Sequence, residues 1–297
     1  AYLETKRLFF PRFFFLSNEE MLEILLETKE PSCVQPHLKK CFEGIAKLEI
    51  DQQGLIHSML SSQNEKVKLS YSINTSEANG AVEKWLLQVQ DAMKISIRDV
   101  MEAAHAAYAN ESRADWIQSW PGQIAICVSQ IFWTKEVTEN LRKSAPGLGD
   151  FLLTLNGQLQ NLIQLVRGQL SKISLTTLRA LIVSDVHARD VVSDMIEKKV
   201  SSEKDFSWLS RLRYYWEDDY CKVRMATTEL KYCNEYLGNT ERLVLTPLSD
   251  RCYVTLVEAF KLNLGGSPQG PAGTGKTETT KDLAKALGVQ CIVVGCS

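Results

Sequence analysis

One run of eight residues combines the residue types and the spacing that phosphate binding requires. Residues 270–277 match GxxxxGK[ST], the P-loop motif. The glycines of the motif let the backbone turn and approach phosphate oxygens with no Cβ in the way. Their amide hydrogens, with those of Lys276 and Thr277, would point into the loop and cradle a β-phosphate. The predicted nucleotide-binding residues are Gly270, Pro271, Ala272, Gly273, Thr274, Gly275, Lys276 and Thr277.

The two side chains at the end of the motif have separate roles in this chemistry. Lys276 would bridge the β- and γ-phosphates of ATP, and the Thr277 hydroxyl would ligate Mg²⁺. A helix that starts near Lys276 would add the positive end of its dipole to the site. The motif therefore predicts that the chain binds ATP or ADP together with Mg²⁺.

The segments around the motif follow the order of a P-loop unit. Downstream, Leu283 and Leu287 continue a helix on one face, and Gly288 stands at its C-cap position. Residues 291–294 then form a short apolar run that predicts a strand. Residues 262–268, just before the motif, are not a β-branched apolar run and make a weaker strand than usual.

A segment further upstream could contact the base of the nucleotide. Residues 242–248 form a strand-like run, and a helix is predicted to follow from Ser249 or Asp250. An apolar segment N-terminal to a P-loop domain commonly folds over the adenine, which makes Leu245 and Pro247 candidates for base contact. Plain core packing of these two side chains is the open alternative.

The other chemistry-bearing residues indicate no further site. Eight cysteines are scattered without a CxxC pair, and the four histidines do not stand at metal-ligand spacing, so the cysteines are expected to be reduced core residues. The acidic residues 217–219 have no histidine or further acid nearby, and a solvated helix end is expected there. The formal net charge of -2 argues against nucleic-acid binding, and no apolar run approaches the roughly 18 residues that span a membrane.

Length and apolar spacing predict the scaffold. The 297 residues leave room for about two domains of roughly 150 residues each. Short apolar runs over about residues 45–75 predict a small β meander. Apolar residues at three- and four-residue spacing predict long bundle helices over residues 82–108, 121–143, 148–170 and 174–196.

Long blocks near the C-terminus resemble the dynein heavy chain family. Residues 235–239 (EYLGN), 243–253 (LVLTPLSDRCY) and 270–287 (GPAGTGKTETTKDLAKAL) are similar to the first AAA+ module of a dynein heavy chain and the segment that leads into it. Residues 270–277 match the P-loop of that family at every position, so the resemblance implies the same nucleotide-binding role for them.

The rest of the chain resembles the dynein linker domain. The similar blocks are residues 10–45, 82–93 and 181–219, so the resemblance covers nearly the whole chain. Within the first block, FFFLSNEEMLEIL (13–25) and VQPHLKKCFEG (34–44) look axonemal rather than cytoplasmic and suggest a single-headed inner-arm type.

The resemblance implies a mainly α fold in two parts. Residues 1–237 would form an elongated helical-bundle linker with the β insertion at about 45–75, and residues 238–297 the first part of a truncated α/β P-loop AAA+ module. Only 20 residues follow Thr277. We therefore expect no catalytic residue within the chain, since the acidic metal-binding strand, the catalytic glutamate and the neighbouring module's arginine would lie elsewhere.

The resemblance also implies a mechanical function. The linker would arch over the AAA+ ring as a lever, in a minus-end-directed microtubule motor ATPase of cilia and flagella, located in the cytoplasm and cytoskeleton at the axoneme. The implied partners are the rest of the heavy chain, microtubules through the stalk, intermediate and light chains and the axonemal doublet, with no nucleic acid and no membrane. Two alternatives stay open, a stand-alone P-loop nucleotide-binding protein or kinase, and a structural helical module with an incidental P-loop.

Overall fold

The computed structural model describes residues 2–26, 31–143 and 147–295, and for residues 32 and 33 it describes only the backbone. The chain divides into two compact units. The first comprises Ala1–Ala103, Asn234–Asn239 and Gln290–Ser297, and the second comprises Ala104–Cys233 and Thr240–Val289. The predicted boundary at 237/238 separates the linker from the AAA+ module, whereas these two units are defined by how the residues pack. The boundary therefore stays a prediction.

The first unit contains short helices and a three-stranded sheet. The helices are α1 (Tyr2–Phe9), α2 (Asn18–Leu26) and α3 (Leu38–Cys41), with 3₁₀ turns at Pro11–Phe15 and Pro31–His37. Antiparallel strands β1 (Lys47–Ile50), β2 (Leu55–Leu60) and β3 (Lys66–Asn74) follow in meander order, which confirms the predicted meander. A 3₁₀ turn at Thr75–Ala78 leads to α4 (Val82–Ala107).

Arg12 joins distant segments of the first unit. Its guanidinium donates to both carboxylate oxygens of Glu235 at 2.7 Å, and Glu235 is 3% exposed. It also donates to the side-chain oxygens of Gln90 at 2.6 Å and Gln290 at 2.7 Å, and it lies 4.8 Å from the centroid of the Phe42 ring. Because a buried charge is stable only when it is paired, this arginine fixes segments that are far apart in the sequence.

The second unit is built around one central helix. Helices α5 (Arg113–Ser119), α6 (Gly122–Arg142), α7 (Gly147–Val166), α8 (Lys172–Glu197) and α9 (Phe206–Leu209) precede strands β4 (Arg213–Glu217), β5 (Tyr220–Met225) and β6 (Thr228–Lys231). Two further helices follow, α10 (Pro247–Lys261) and α11 (Lys276–Ala286). Helix α6 packs on α7, α8 and β4. Its residues 122–129 are all buried, whereas Lys135, Glu139 and Arg142 in its C-terminal half are exposed.

The core of the second unit lies between α6, α7 and α8. The rings of Trp133 on α6 and Trp208 on α9 meet edge to face with centroids 5.3 Å apart. Both belong to a buried apolar cluster, and its other members are Val137, Leu141, Leu148, Phe151, Leu155, Ala188, Val191, Val192, Met195 and Val200. The predicted long helices are therefore confirmed, with ends that differ from the predicted ones by a few residues.

The expected helix end at the acidic residues 217–219 is wrong. Glu217 ends β4, and Asp218 and Asp219 form the two-residue turn into β5, with φ of 53° and 57°. Positive φ at both positions is typical of the type I′ turn, which joins antiparallel strands and tolerates aspartate. The Glu217 carboxylate accepts hydrogen bonds from Arg224 at 2.6 and 2.9 Å, so it belongs to a cross-strand ion pair.

Three predicted strands are also absent from the described residues, one of them the weaker strand over residues 262–268. The stretches 240–246 and 289–295 have no strand, and helix α10 begins at Pro247 directly after residue 246. Thr246 caps α10, because its hydroxyl accepts a hydrogen bond from Ser249 N at 3.3 Å. An apolar run becomes a strand only beside a hydrogen-bonded neighbour, and in the described part of the chain neither stretch has one.

The described residues also bear on membrane insertion, metal binding and disulfide formation. No helix of the described residues is long and apolar enough to cross a bilayer. Within the same residues, no three His, Cys, Asp or Glu side chains are grouped so that they could hold a metal ion. The described cysteines at 41, 127, 221, 233, 252 and 291 form no disulfide, while Cys33 and Cys296 lie outside the described side chains.

Gly44 permits a close approach of two backbone segments in the first unit. A Cβ at this position would lie 2.1 Å from the carbonyl oxygen of Tyr236 and 2.8 Å from the carbonyl carbon of Leu237. Main-chain atoms cannot rotate away as a flexible side chain can. We expect Gly44→Ala to lower the free energy of unfolding by about 1–3 kcal/mol, measured by urea denaturation.

Gly157, an exposed residue of α7, provides the matched control. A Cβ there would meet nothing within 4 Å. Gly157→Ala should therefore raise stability by about 0.5–1 kcal/mol, since glycine weakens a helix interior. Equal stability of Gly44→Ala and the wild-type chain would contradict the close approach at Gly44.

Candidate phosphate-binding site

The P-loop lies directly before α11, and its glycines have the backbone conformation that glycine favours. Gly275 is the N-cap of α11 with a φ of 81°, and Gly273 has a φ of 77°. A Cβ at either position would meet nothing within 4 Å. The left-handed φ, rather than crowding, is therefore what disfavours other residues at these two positions.

The Lys276 side chain curls back over the loop. Its Nζ donates to the carbonyl oxygens of Gly270 at 3.0 Å and Pro271 at 2.5 Å, and it lies 3.4 Å from Thr274 Oγ1. The Thr274 hydroxyl donates to the same Pro271 oxygen at 2.9 Å. The ammonium group and the N-terminus of α11 thus converge on one loop, an arrangement that attracts a polyanion.

The predicted phosphate-binding residues are accessible from solvent. Thr277, the second residue of α11, is exposed, and its hydroxyl is a hard oxygen ligand of the kind that suits Mg²⁺. The residues at 275 and 276 are half-buried, and those at 270–274 are exposed. The residues present therefore fit a bound nucleotide with its metal ion.

The two candidates for base contact occupy different surroundings. Leu245 is half-buried and lines a small cavity with Trp133, Tyr214 and Arg242, which favours the packing alternative for this side chain. Pro247 is exposed at the first residue of α10. Base contact by either residue stays a prediction.

A buried carboxylate anchors the middle of α11. Asp282 is 3% exposed, and its Oδ1 accepts hydrogen bonds from Arg242 Nε at 2.9 Å and Leu243 N at 3.0 Å. Its Oδ2 accepts from Arg242 Nη2 at 3.0 Å and from the Tyr253 hydroxyl at 2.8 Å. The helix that follows the P-loop is thus held by the segment before α10 and by α10 itself.

The ionised form of Asp282 is stabilised by these donors. Burial alone would raise the pKa of Asp282, but the charge of Arg242 and the hydrogen bonds from Arg242, Leu243 and Tyr253 hold that pKa below its usual value. Burial and the negative charge of Asp282 both raise the pKa of the Tyr253 phenol, so the phenol keeps the proton that it donates.

The C-terminal end of α11 is held by the second sheet and the segment after it. The Tyr214 hydroxyl, on β4, donates to Ala286 O at 2.9 Å, and Cys233 N donates to Leu287 O at 3.0 Å. Gly288 follows with a φ of 62°, and a Cβ there would lie 2.6 Å from the Tyr232 ring. The C-terminal end of α11 is therefore bound to Tyr214 on β4 and to Cys233.

Sequence reasoning missed the residues that hold α11 in place. Asp282 precedes Leu283 and lies four residues before Ala286, both of which are buried, so it stands at a position of the helix that faces the interior. An acidic residue there signals a buried partner. Arg242 lies 40 residues away in the sequence, and no local pattern identifies it as that partner.

Two family models match the chain. Residues 1–104 match the model described as "Dynein heavy chain, N-terminal region 2", and residues 232–297 match "Hydrolytic ATP binding site of dynein motor region". The second match contains the P-loop, Asp282 and the whole of α11.

The relatives cover the whole of the chain. It is 61% identical over 297 residues to dynein axonemal heavy chain 12 of Homo sapiens, of which it spans 10%. It is 58% identical over 296 residues to dynein axonemal heavy chain 3 of Mus musculus and 51% identical over 297 residues to dynein axonemal heavy chain 1 of Homo sapiens, and it spans 7% of each. Because dynein models match at both ends and this likeness runs through the residues between them, the chain belongs to the dynein heavy chain family.

Proposed function

We propose that this chain is the part of an axonemal dynein heavy chain in which the linker joins the ATP site of the first AAA+ module. The observation that carries the proposal is the P-loop at the N-terminus of α11, where Lys276 lies over the loop and Thr277 is exposed. The match of residues 232–297 to a hydrolytic ATP-binding model supports the same assignment. The chain spans a tenth or less of its relatives, so the activity is that of the whole heavy chain.

The residues of the P-loop bind and orient ATP in this proposal. The loop amides and the dipole of α11 take the phosphate charge, and Lys276 moves its hydrogen bonds from the loop carbonyls to the phosphates. The Thr277 hydroxyl holds Mg²⁺, which when bound neutralises charge on the β- and γ-phosphates. No residue of this chain is assigned a bond-breaking role, and those residues belong to other parts of the heavy chain.

The contacts at the far end of α11 are the proposed path from the ATP site to the linker. Helix α11 carries Lys276 and Thr277 in its first turn and is bound to Tyr214 and Cys233 at its C-terminal end. A helix resists compression along its axis, so a change at the loop is transmitted to the residues at its other end. The linker, residues 1–237, then acts as the lever of a microtubule motor.

The whole heavy chain supplies the remaining partners in this proposal. These are the AAA+ ring, microtubules reached through the stalk, intermediate and light chains and the axonemal doublet of a cilium or flagellum. The 61% identity to an axonemal heavy chain over all 297 residues favours this function over a stand-alone kinase or a structural module with an incidental P-loop.

Loss of the P-loop lysine should abolish ATP-driven motion. We expect Lys276→Ala in the full-length heavy chain to lower ATP turnover by at least tenfold and to stop microtubule gliding, because the phosphates lose their main cationic partner. The matched control is Lys281→Ala, since Lys281 lies on the same helix and pairs with Glu278 at the surface. Unimpaired gliding by Lys276→Ala would sink the proposal.

Loss of the threonine hydroxyl should act through the metal ion. We expect Thr277→Ala to require more Mg²⁺ for half-maximal ATP turnover than the wild-type heavy chain, because one oxygen ligand is removed. The measurement is a Mg²⁺ titration at fixed ATP. An unchanged Mg²⁺ dependence would remove Thr277 from the metal site.

A change at the far end of α11 should separate ATP turnover from motion. Tyr214→Phe leaves Ala286 O without a hydroxyl donor, at a cost of about 1–3 kcal/mol. We expect gliding velocity to fall more than ATP turnover in the full-length heavy chain. Tyr215→Phe is the control, because adjacent residues of a strand face opposite sides. A proportional fall of velocity and turnover would argue against this path.

A further inference from the structure

The Asp282 carboxylate connects the phosphate-binding loop to the segment that carries the candidates for base contact. Asp282 lies six residues after Lys276 on the same helix, about 9 Å along its axis. Its partners Arg242 and Leu243 stand just before Leu245 and Pro247 in the sequence. One carboxylate therefore links the helix that begins at the phosphate-binding loop to the segment that carries Leu245 and Pro247.

The contact with Leu243 fixes main chain rather than a side chain alone. Leu243 donates its backbone N–H to Asp282 Oδ1 at 3.0 Å. Leu245 follows two residues later, so its Cα lies within about 7 Å of the Cα of the residue that is held. A shift of the carboxylate would consequently move the segment that precedes α10.

The geometry of the network leaves little freedom. The guanidinium of Arg242 binds both oxygens of Asp282, a bidentate arrangement that fixes orientation as well as distance. The Tyr253 hydroxyl, on α10, takes a further acceptor position at 2.8 Å. The four donors use the acceptor capacity of a carboxylate, and the site is buried from water.

We propose that Asp282, Arg242 and Tyr253 are positioning residues that set the distance between the phosphate-binding loop and the base-contacting segment. None of the three belongs to the P-loop, and none is a candidate for base contact. By holding both parts at one spacing, they favour a ligand that carries a base at the correct distance over phosphates alone. This inference rests on the proposed ATP site and on base contact by Leu245 or Pro247.

A purely structural role for the network makes a different prediction. If the network only stabilised the fold, its loss would lower the fraction of active protein, and the affinities of the remaining molecules would not change. If it supported only the loop, every ligand that contains the phosphates would bind more weakly to the same extent. A comparison of ATP with tripolyphosphate, which has the phosphates without the base, separates these cases.

The experiment uses the full-length heavy chain and two variants. Asp282→Asn removes the charge and leaves Arg242 without its ion pair, whereas Tyr253→Phe removes one hydrogen bond and keeps that pair. For each variant we would measure the KM for Mg-ATP, kcat and the inhibition constant of Mg-tripolyphosphate. We expect KM to rise roughly tenfold in Asp282→Asn and about threefold in Tyr253→Phe, with the inhibition constant changed less than about twofold.

A buried ion pair outside the network provides the control. Asp185 on α8 is 9% exposed and accepts a hydrogen bond from Arg113 at 2.8 Å. Asp185→Asn disturbs a similar pair in the same unit and should leave the ratio of KM to inhibition constant unchanged. The Tyr253→Phe variant keeps the test decisive if Asp282→Asn does not fold.

The possible failures are distinguishable. Equal rises in the KM and the inhibition constant, or no rise in either, would overturn the positioning role of Asp282, Arg242 and Tyr253. Full ATP turnover in Lys276→Ala would instead overturn the ATP site itself. A loss of kcat with both constants unchanged would mean that the network only stabilises the fold.

Discussion

A carboxylate that is 3% exposed keeps its charge only when donors surround it, and Asp282 imposes that requirement on the middle of α11. Arg242, Leu243 and Tyr253 supply the donors, so the segment before α10 and α10 itself must lie against the helix. The P-loop has no such anchor of its own, since its residues 270–274 are exposed. Its position in the unit therefore depends on how α11 is held.

The two ends of α11 differ in their exposure and in the polar groups that they present. The N-terminal end offers unpaired amides, a dipole and Lys276 to a negatively charged ligand. The C-terminal end has its carbonyl groups taken up by Tyr214 and by Cys233 N, in a part of the unit where tyrosine side chains are buried. A helix that is polar and accessible at one end and fixed at the other is suited to report ligand binding to the residues that fix it.

The sequence predicted those features whose signal is local. The apolar periodicity of α4, α6, α7 and α8 is long enough to exclude other structures, and the P-loop is a contiguous motif with fixed spacing. The sheet of β4, β5 and β6 was missed, although Asp218 and Asp219 are a turn signal between alternating strands. The charge of Asp218 and Asp219 is equally compatible with a solvated helix end, because aspartate is common at both kinds of position.

The segment 242–246 shows why a strand predicted from local sequence can be wrong when a hydrogen-bond partner is distant in the sequence. Its apolar residues fit a strand, yet the Leu243 N–H donates to Asp282 and not to a neighbouring strand. A backbone donor that is satisfied by a side chain no longer needs a β ladder, and Thr246 then starts α10 as its N-cap. Arg242 decides between a strand and the observed conformation. Its buried charge requires the Asp282 carboxylate, and this ion pair places the neighbouring Leu243 N–H within reach of the same carboxylate. The conformation of these residues is thus set by an ion pair that spans 40 positions in the sequence, which no window of local sequence contains.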